Sequence, residues 1–476
     1  MFKRFKKVLV CALALSMALT VTACGSDDRG GSGRKTTINF YTWGNTNDQV
    51  LMGQVEEAFE KAYSQYDINY EFAAGGVYSD NVIQKIGGGN APDIFHVEPS
   101  NFALFAKSGL LADMSPYIGQ ELEDDLFPLN DGYRYDASTG TIGEGGLHAL
   151  IKDWCCSFPL VFNKGLVEQY NTRTGKYAGV AGNDQIVIPE VTLNADGTAN
   201  IPDPLKWSEF VEIAKKLTVN KGGQGAVYGT TMDYVPYMHL QEFIEQTGYS
   251  WFTEDESEME INAGVREAFE YYTDLTKGES APSPSGSALS VGGEMFANEQ
   301  VATVFYGSWA VPSYNWVGKG IDIGIAPAPM PDSAWDGDQA PRPILTSGAV
   351  AMSIYAGTTE KKKEGAYKFL EFYMTEGAKI MASSGFNIPA TQSAAEKYYL
   401  SEEYVTDPNI LKYNKIFMAL GRDYTTLQYY NPRISGATID TIFGTYLGNW
   451  VEGKIATMDE LLNTIKEEID KAITED

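Results

Sequence analysis

Residues 91–114 read "APDIFHVEPSNFALFAKSGLLADM". The first part, "APDIFHVE" (91–98), reads as a strand. After Pro99, "NFALFAKSGLLADM" (101–114) has the spacing of a helix leading into a turn at Pro116. Upstream the same alternation recurs. "TINFYTW" (37–43) and "DINYEF" (67–72) read as strands. "DQVLMGQVEEAFEKAY" (48–63) places Val50, Leu51, Val55, Ala58 and Phe59 at helical spacing, and "YSDNVIQKIGGG" (78–89) is a helix stopped by glycines. Strands alternating with helices predict an α/β fold with mostly parallel sheets and helices on both faces. Ligands of such sheets bind beyond the carboxyl ends of the strands, here residues 41–45 and 96–101.

Beyond residue 182 the rhythm changes. Residues 183–207 contain strand-like runs around "NADG", a hairpin signal, before the helix "WSEFVEIAKKLT" (207–218). Residues 280–294 form a small-residue loop and 326–343 a proline-rich surface crossing. A strand, "GAVAMSIY" (348–355), and a helix over 360–384 follow, and the chain closes on an amphipathic helix over 458–473.

The amino terminus carries an address. Lys3, Arg4, Lys6 and Lys7 precede an apolar run of 16 residues (8–23), shorter than the roughly 20 needed to span a bilayer. It ends in "VTAC" (21–24), which resembles the lipobox of a bacterial lipoprotein. Residues 1–23 are expected to be a signal peptide, Cys24 the lipidated residue, and 24–35 a flexible tether. Of four cysteines, only the neighbours Cys155 and Cys156 then remain, facing an oxidising exterior. Neighbouring Cα atoms lie about 3.8 Å apart, short of the usual disulfide range of roughly 4.4–6.8 Å, so a vicinal ring needs a distorted peptide. Two readings stay open: a strained vicinal disulfide at a functional position, or two buried thiols acting as small hydrophobes. There is no spaced CxxC pair, and His96, His148 and His239 lack ligand spacing, so neither a metal nor a cofactor is expected.

The net charge is −27, and −31 once the four basic residues of the signal are removed, which disfavours nucleic acid as a partner. Aromatic residues make up 12%, with 29 tyrosines and 8 tryptophans, many in polar surroundings. A ring covering the C–H face of a sugar beside carboxylates and amides is the composition of a carbohydrate site.

Several blocks carry a resemblance across nearly all of residues 36–476: "INFYTWGN", "AFEKAY", "GNAPDIFHVEPSNFALFAKSGLLADM", "LVFNKGLVEQY", "WSEFVEIAKKLT", "VATVFYGSWA", "IGIAPAPMP" and the long run from "SGAVAMSIY" to "FNIPA". In this order and spacing the chain resembles the extracellular solute-binding proteins of sugar ABC transporters, the maltose-binding-protein-like family 1. The resemblance implies two lobes, 36–153 with 347–396 and 157–344 with 400–476, joined by crossings near 154–158, 345–347 and 393–400. It implies a monomer, lipid-anchored on the outer face of the cell membrane. Its ligand would be a neutral oligosaccharide, its partners the permease subunits, and it would have no catalysis.

Matching motifs imply the contacts. "YTWGN" supplies Tyr41, Trp43 and Asn45, and "HVEPSNF" supplies Glu98, Ser100 and Asn101, with Val97 where relatives often place an aromatic platform. "KDWCC" supplies Asp153, Trp154, Cys155 and Cys156, the last where some relatives have a sugar-binding acid. Tyr237, Trp309 and Tyr430 (with Tyr429) are implied stacking residues, and Ser347 and Gly348 backbone contacts. The rival readings are an extracellular glycoside hydrolase, which needs a suitably spaced carboxylate pair, and a receptor of the same fold for a non-sugar solute such as a peptide.

Overall fold

The computed structural model describes residues 35–44, 46–73, 78–232, 236–278, 281–284, 292–382 and 388–475. The expected signal peptide, the lipidation residue Cys24, nearly all of the tether and the expected contact Asn45 lie outside the described residues.

Thr36–Thr42, Tyr66–Phe72 and Ile94–Val97 are strands, separated by the helices Thr46–Ala62 and Tyr78–Gly87. Helical crossovers make strands parallel, and Thr36–Thr42 pairs in parallel with both of the others. Ile94–Val97 is buried at all four positions, as a strand covered on both faces must be. The full sheet has six strands, in the order Ile388–Pro389, Leu150–Trp154, Val350–Ile354, Ile94–Val97, Thr36–Thr42, Tyr66–Phe72.

The expected mostly parallel sheet is in fact mixed, because Val350–Ile354 runs antiparallel to both its neighbours and Ile388–Pro389 antiparallel to Leu150–Trp154. The cause is the path of the chain. Thr36–Thr42, Ile94–Val97 and Leu150–Trp154 all run towards one end of the sheet, whereas Val350–Ile354 enters the sheet from that end.

A second sheet has three antiparallel strands, Thr303–Phe305, Leu160–Asn163 and Ile323–Ala326. Successive side chains of a strand point to opposite faces. Leu160, Phe162, Phe305 and Ala326 accordingly join one apolar cluster, while Val161, Val304, Ile323 and Ile325 join another. A separate cluster surrounds the six-stranded sheet. The protein therefore has two lobes, one built on each sheet. The hairpin signalled by "NADG" pairs Thr192–Leu193 with Ala199–Asn200.

The chain passes between the lobes several times. It leaves the six-stranded sheet after Trp154 and enters the smaller sheet at Leu160. It returns through Leu345–Ser347, which pairs in parallel with Thr425–Leu427. The expected third crossing at 393–400 is displaced. Ala394, Ala395, Tyr398 and Tyr399 are buried in the core of the first lobe, and Ile416, Phe417 and Leu420 in the second. Leu400 and Tyr404 still pack against the first core and Ile410 against the second, so the passage falls between 404 and 410. Alanines and tyrosines on a short helix look alike whichever core they fill, so the sequence does not mark the exit.

Buried Glu242 fixes the return strand. It accepts from the Thr346 amide at 2.8 Å and the Thr346 hydroxyl at 3.0 Å, and burial pushes its carboxyl well above the usual range.

Candidate binding cleft

A cavity of about 290 Å³ lies where the strands of the first lobe end and the second lobe faces them. Trp43 follows the Thr36–Thr42 strand, Glu98 follows Ile94–Val97, and Asp153 and Trp154 close Leu150–Trp154. Cys155, Ser157 and Phe158 from the first crossing contribute, as do Gly348, Ala349 and Val350 at the return. The opposite wall is Met238, Trp309, Gln428, Tyr430 and Asp440.

Trp43 is partly exposed and held edge-on by Tyr78 (ring centroids 4.4 Å apart) and His96 (4.5 Å). Tyr41 is buried instead, stacked on Tyr78 at 5.0 Å with an interplanar angle of 12°. The Tyr78 hydroxyl donates to the Tyr41 carbonyl and accepts from the His96 amide, each at 2.8 Å. Burial lowers the His96 imidazole well below its usual value, so it stays neutral beneath Trp43. Tyr41 is therefore a support for the cleft wall and does not line the cavity.

Glu98 occupies the N-cap position of the helix Pro99–Lys107 in extended conformation, yet its side chain makes no capping bond. Pro99 has no amide hydrogen to offer at N1, and the carboxylate lines the cavity instead. Asn101 is buried on that helix with its amide donating to the Ser100 hydroxyl at 3.2 Å, and Ser100 takes the lining position. Burial pushes the Glu98 carboxyl up. Across the cavity, burial and then the charge of Glu98 push Asp440 up to about 7. Two carboxylates from opposite lobes thus face each other. Asp153, a third, is paired with Lys152.

The adjacent cysteines are unbridged, the second of the two readings the sequence leaves open. Neighbouring residues of an extended segment send their side chains to opposite sides. Cys155 lines the cavity, while Cys156 is fully buried in the second lobe with its thiol directed at the Phe417 carbonyl 3.8 Å away. Burial, then the charge of Asp153, pushes Cys155 up to about 12, and burial also raises Cys156. Both stay protonated and weakly nucleophilic near neutrality. Trp154 borders the cavity but is buried, its indole N–H donating to the Pro389 carbonyl at 3.2 Å and its ring edge-on to Phe127 at 5.0 Å.

Trp309 is partly exposed and set edge-on to Tyr306 at 5.3 Å. Gly307 brings its turn against the first crossing, since a Cβ there would meet the Cys155 sulfur and the Cys156 carbonyl, both at 2.8 Å.

Tyr237 is corrected to a core residue. It is fully buried, with Tyr430, Trp251 and Phe443 rings at 5.1, 5.2 and 5.3 Å. On the helix Pro236–Gln246 it shares the inward face with Leu240 and Ile244, at three- and four-residue steps. Met238, one residue on, faces the cavity instead. Ser347 is likewise buried behind the wall, where its carbonyl accepts from the Gln428 amide at 2.9 Å. Its neighbours Gly348 and Ser157 line the cavity, joined by a 3.1 Å bond from the Gly348 amide to the Ser157 hydroxyl.

Nine expected residues thus meet around one cavity: Trp43, Glu98, Ser100, Asp153, Trp154, Cys155, Trp309, Gly348 and Tyr430. Sequence reasoning missed Met238, Gln428 and Asp440. Gln428 had a signal, since it sits beside the two tyrosines of "LQYYNPR", whereas Asp440 resembles any solvated acid on a helix. Among the described residues no lysine or arginine lines this cavity, and no cluster of three metal-ligating side chains occurs. No helix among them is long and apolar enough to cross a membrane.

Two lobes enclosing a cleft lined by aromatic faces and hydrogen-bond acceptors define a solute receptor. The chain belongs to the bacterial extracellular solute-binding protein family, whose model matches residues 43–380. It is 30% identical over 123 residues to an arabinooligosaccharide-binding protein of Bacillus subtilis (strain 168), a match spanning 24% of this chain and 28% of that relative's length. Its fold is similar to an ABC substrate-binding protein from Listeria monocytogenes solved with cycloalternan, with a TM-score of 0.70 at 20% identity, covering 92% of this chain and 99% of that one. A maltose/maltodextrin-binding domain from Bdellovibrio bacteriovorus bound to maltotriose gives a TM-score of 0.67 at 16% identity over 92% and 99% of the two chains. The family and these neighbours are binding proteins.

Proposed function

We propose that this protein is the substrate-binding component of an ABC importer, lipid-anchored through Cys24 on the outer face of the membrane. It captures a neutral oligosaccharide between its lobes and presents it to the permease. The observation that carries the ligand class is the pairing of Trp43 and Trp309, from opposite lobes, with Glu98, Asp440 and Gln428 around one cavity. Indole faces cover the C–H surface of a sugar ring, and carboxylates and an amide take its hydroxyl protons. The absence of a lining cation among the described residues argues against uronates and other anions. The ligands of the similar proteins, arabinooligosaccharide, cycloalternan and maltotriose, are of the same class. Capture follows from lobes that bring their halves of the site together on a ligand bridging both.

Calorimetric titration with two ladders, arabino-oligosaccharides and malto-oligosaccharides, tests this. Saturable binding of members of one ladder, with the sugar recovered intact, is the expected result. Hydrolysis of a bound sugar would favour the glycosidase reading, and binding of peptides but no sugar would favour the peptide receptor.

A further inference from the structure

Each of the first two crossings changes lobe within a single residue. Trp154 is buried in the core of the first lobe and Cys156 in that of the second, with Cys155 between them on the cavity wall. On the return, the Ser347 carbonyl accepts from the Gln428 amide of the second lobe at 2.9 Å. Ala349 packs in the first core instead, and its carbonyl accepts from the Tyr133 hydroxyl at 2.5 Å. Gly348 lies between the two, again on the cavity wall. The strand that follows is irregular between Val350 and Ala351, and such a bulge interrupts the ladder locally. The return crossing can therefore turn at Gly348, where glycine has the widest choice of dihedrals.

A buried acid keeps that bend out of residues 345–347. Glu242, fully buried on the helix Pro236–Gln246, accepts from both the amide and the hydroxyl of Thr346. One turn along the same face, Glu245 accepts from the Thr426 hydroxyl at 3.4 Å, and the Gln246 amide donates to the Ile344 carbonyl at 3.0 Å. Thr346 and Thr426 are partners in the parallel ribbon of Leu345–Ser347 with Thr425–Leu427, so one helix face holds both strands. The Thr346 carbonyl accepts from the Ser157 amide at 2.8 Å, which ties the first crossing to the same residue. Neither Glu242 nor Thr346 lines the cleft cavity. Met238, one turn earlier on the helix, does. A buried carboxyl is a costly way to fill space that an apolar side chain could occupy, so what it holds matters.

We propose that Glu242 is a positioning residue for ligand capture. By clamping Thr346 it makes the ribbon part of the second lobe, confines the bend of the return crossing to Gly348, and limits how widely the empty lobes range. Affinity then depends on a side chain that never meets the ligand, because apparent affinity falls with the fraction of molecules whose lobes are placed to close. The clamp acts on any solute that bridges the lobes, so it does not depend on the ligand being a sugar.

The test compares the full chain with Glu242→Leu, Glu242→Gln and Thr346→Val. Leucine fills the site and accepts nothing. Glutamine keeps a carbonyl oxygen for the Thr346 donors and, since burial holds the acid in its neutral form, matches it in charge. Thr346→Val removes the hydroxyl and keeps the amide. Small-angle X-ray scattering of the sugar-free protein reads the spread of the lobes, and calorimetric titration with the two oligosaccharide ladders reads affinity, both well below the melting temperature. Glu242→Leu is expected to shift the sugar-free protein to a larger radius of gyration and to raise Kd roughly tenfold. Thr346→Val should move both in the same direction by less, and Glu242→Gln should restore both. Combined, the Glu242→Leu and Thr346→Val losses should not add, because they break one clamp. A lowered melting temperature with unchanged scattering and Kd would make Glu242 a stabilising residue only and overturn the proposal. Additive losses, or a Glu242→Gln protein as weak as Glu242→Leu, would overturn it too. If Glu242→Leu does not fold, Thr346→Val decides, and scattering and Kd unchanged there overturn the clamp. Binding of no member of either ladder would overturn the carbohydrate reading, while the scattering of the sugar-free proteins still decides the clamp.

Discussion

Asp440 and Glu98 approach each other from opposite lobes, and replacing Asp440 with asparagine removes one charge with almost no change of shape. The Asp440 carboxyl is pushed from its ordinary 3.8 to about 7, first by burial and then by Glu98. An acid whose folded value lies above its unfolded value binds protons better when folded. Its contribution to stability is therefore most favourable in acid and is lost as pH rises from about 4 through about 7. Three units correspond to on the order of 4 kcal/mol above pH 7, of which about 3 kcal/mol develops between pH 5 and pH 8. Asp440→Asn carries no such loss. Urea unfolding at about pH 5 and about pH 8 should show the variant gaining on the wild type by on the order of 3 kcal/mol across that interval. Glu245, also pushed up by burial to about 7, titrates in both proteins and cancels from the comparison. Glu98→Gln should lower the Asp440 value, because it removes the facing charge. Equal pH slopes for variant and wild type, or a variant less stable at pH 8, would refute the reasoning.

Two further changes separate closure from contact. Gly436 opens the helix Gly436–Val451 of the second lobe, and a Cβ there would meet the Ser100 Cβ of the first lobe at 2.3 Å. Gly436→Val is relieved by holding the lobes apart, so affinity should fall roughly tenfold or more with the melting temperature nearly unchanged; a lowered melting temperature at unchanged affinity would place the strain within a lobe. Trp309→Ala removes a partly exposed ring from the cleft wall, and a weakening of about 1.5–3 kcal/mol, roughly tenfold to a hundredfold in Kd, is expected by calorimetry. An unchanged Kd would remove Trp309 from the site.

The sequence showed the strands that end at the cleft because period and composition there agree. Ile94–Val97 and Leu160–Asn163 are mostly apolar and buried at every position, and a helix or a glycine stop brackets each early strand. It did not show strand direction, which depends on the end from which Val350–Ile354 enters. Nor did it separate Tyr237 from Met238. Both are apolar neighbours on one helix, and a rotation of about 100° per residue decides which reaches the cavity. A tyrosine ring can stack on a sugar, but here the inward face of the helix claims it. The sequence left the cysteine pair open for a related reason, since adjacent side chains diverge and each meets a different environment. Asp440 was invisible because its partner, Glu98, lies 342 positions earlier in the chain, and only the approach of the lobes makes either carboxylate unusual.

That approach also explains why acceptors without compensating cations persist in a cleft. Burying Glu98 and Asp440 together disfavours their charged forms, and burying the Gln428 oxygen leaves it without a donor. Each is a cost to the lobes when they meet empty. A ligand rich in hydroxyl donors satisfies all three, and its rings fill the space between Trp43 and Trp309. Such a ligand stabilises the joined lobes by an amount that an empty cleft cannot supply, and an anionic ligand would add to the repulsion. Discrimination against anions then needs no clash, only carboxylates left unpaired on both sides of the gap.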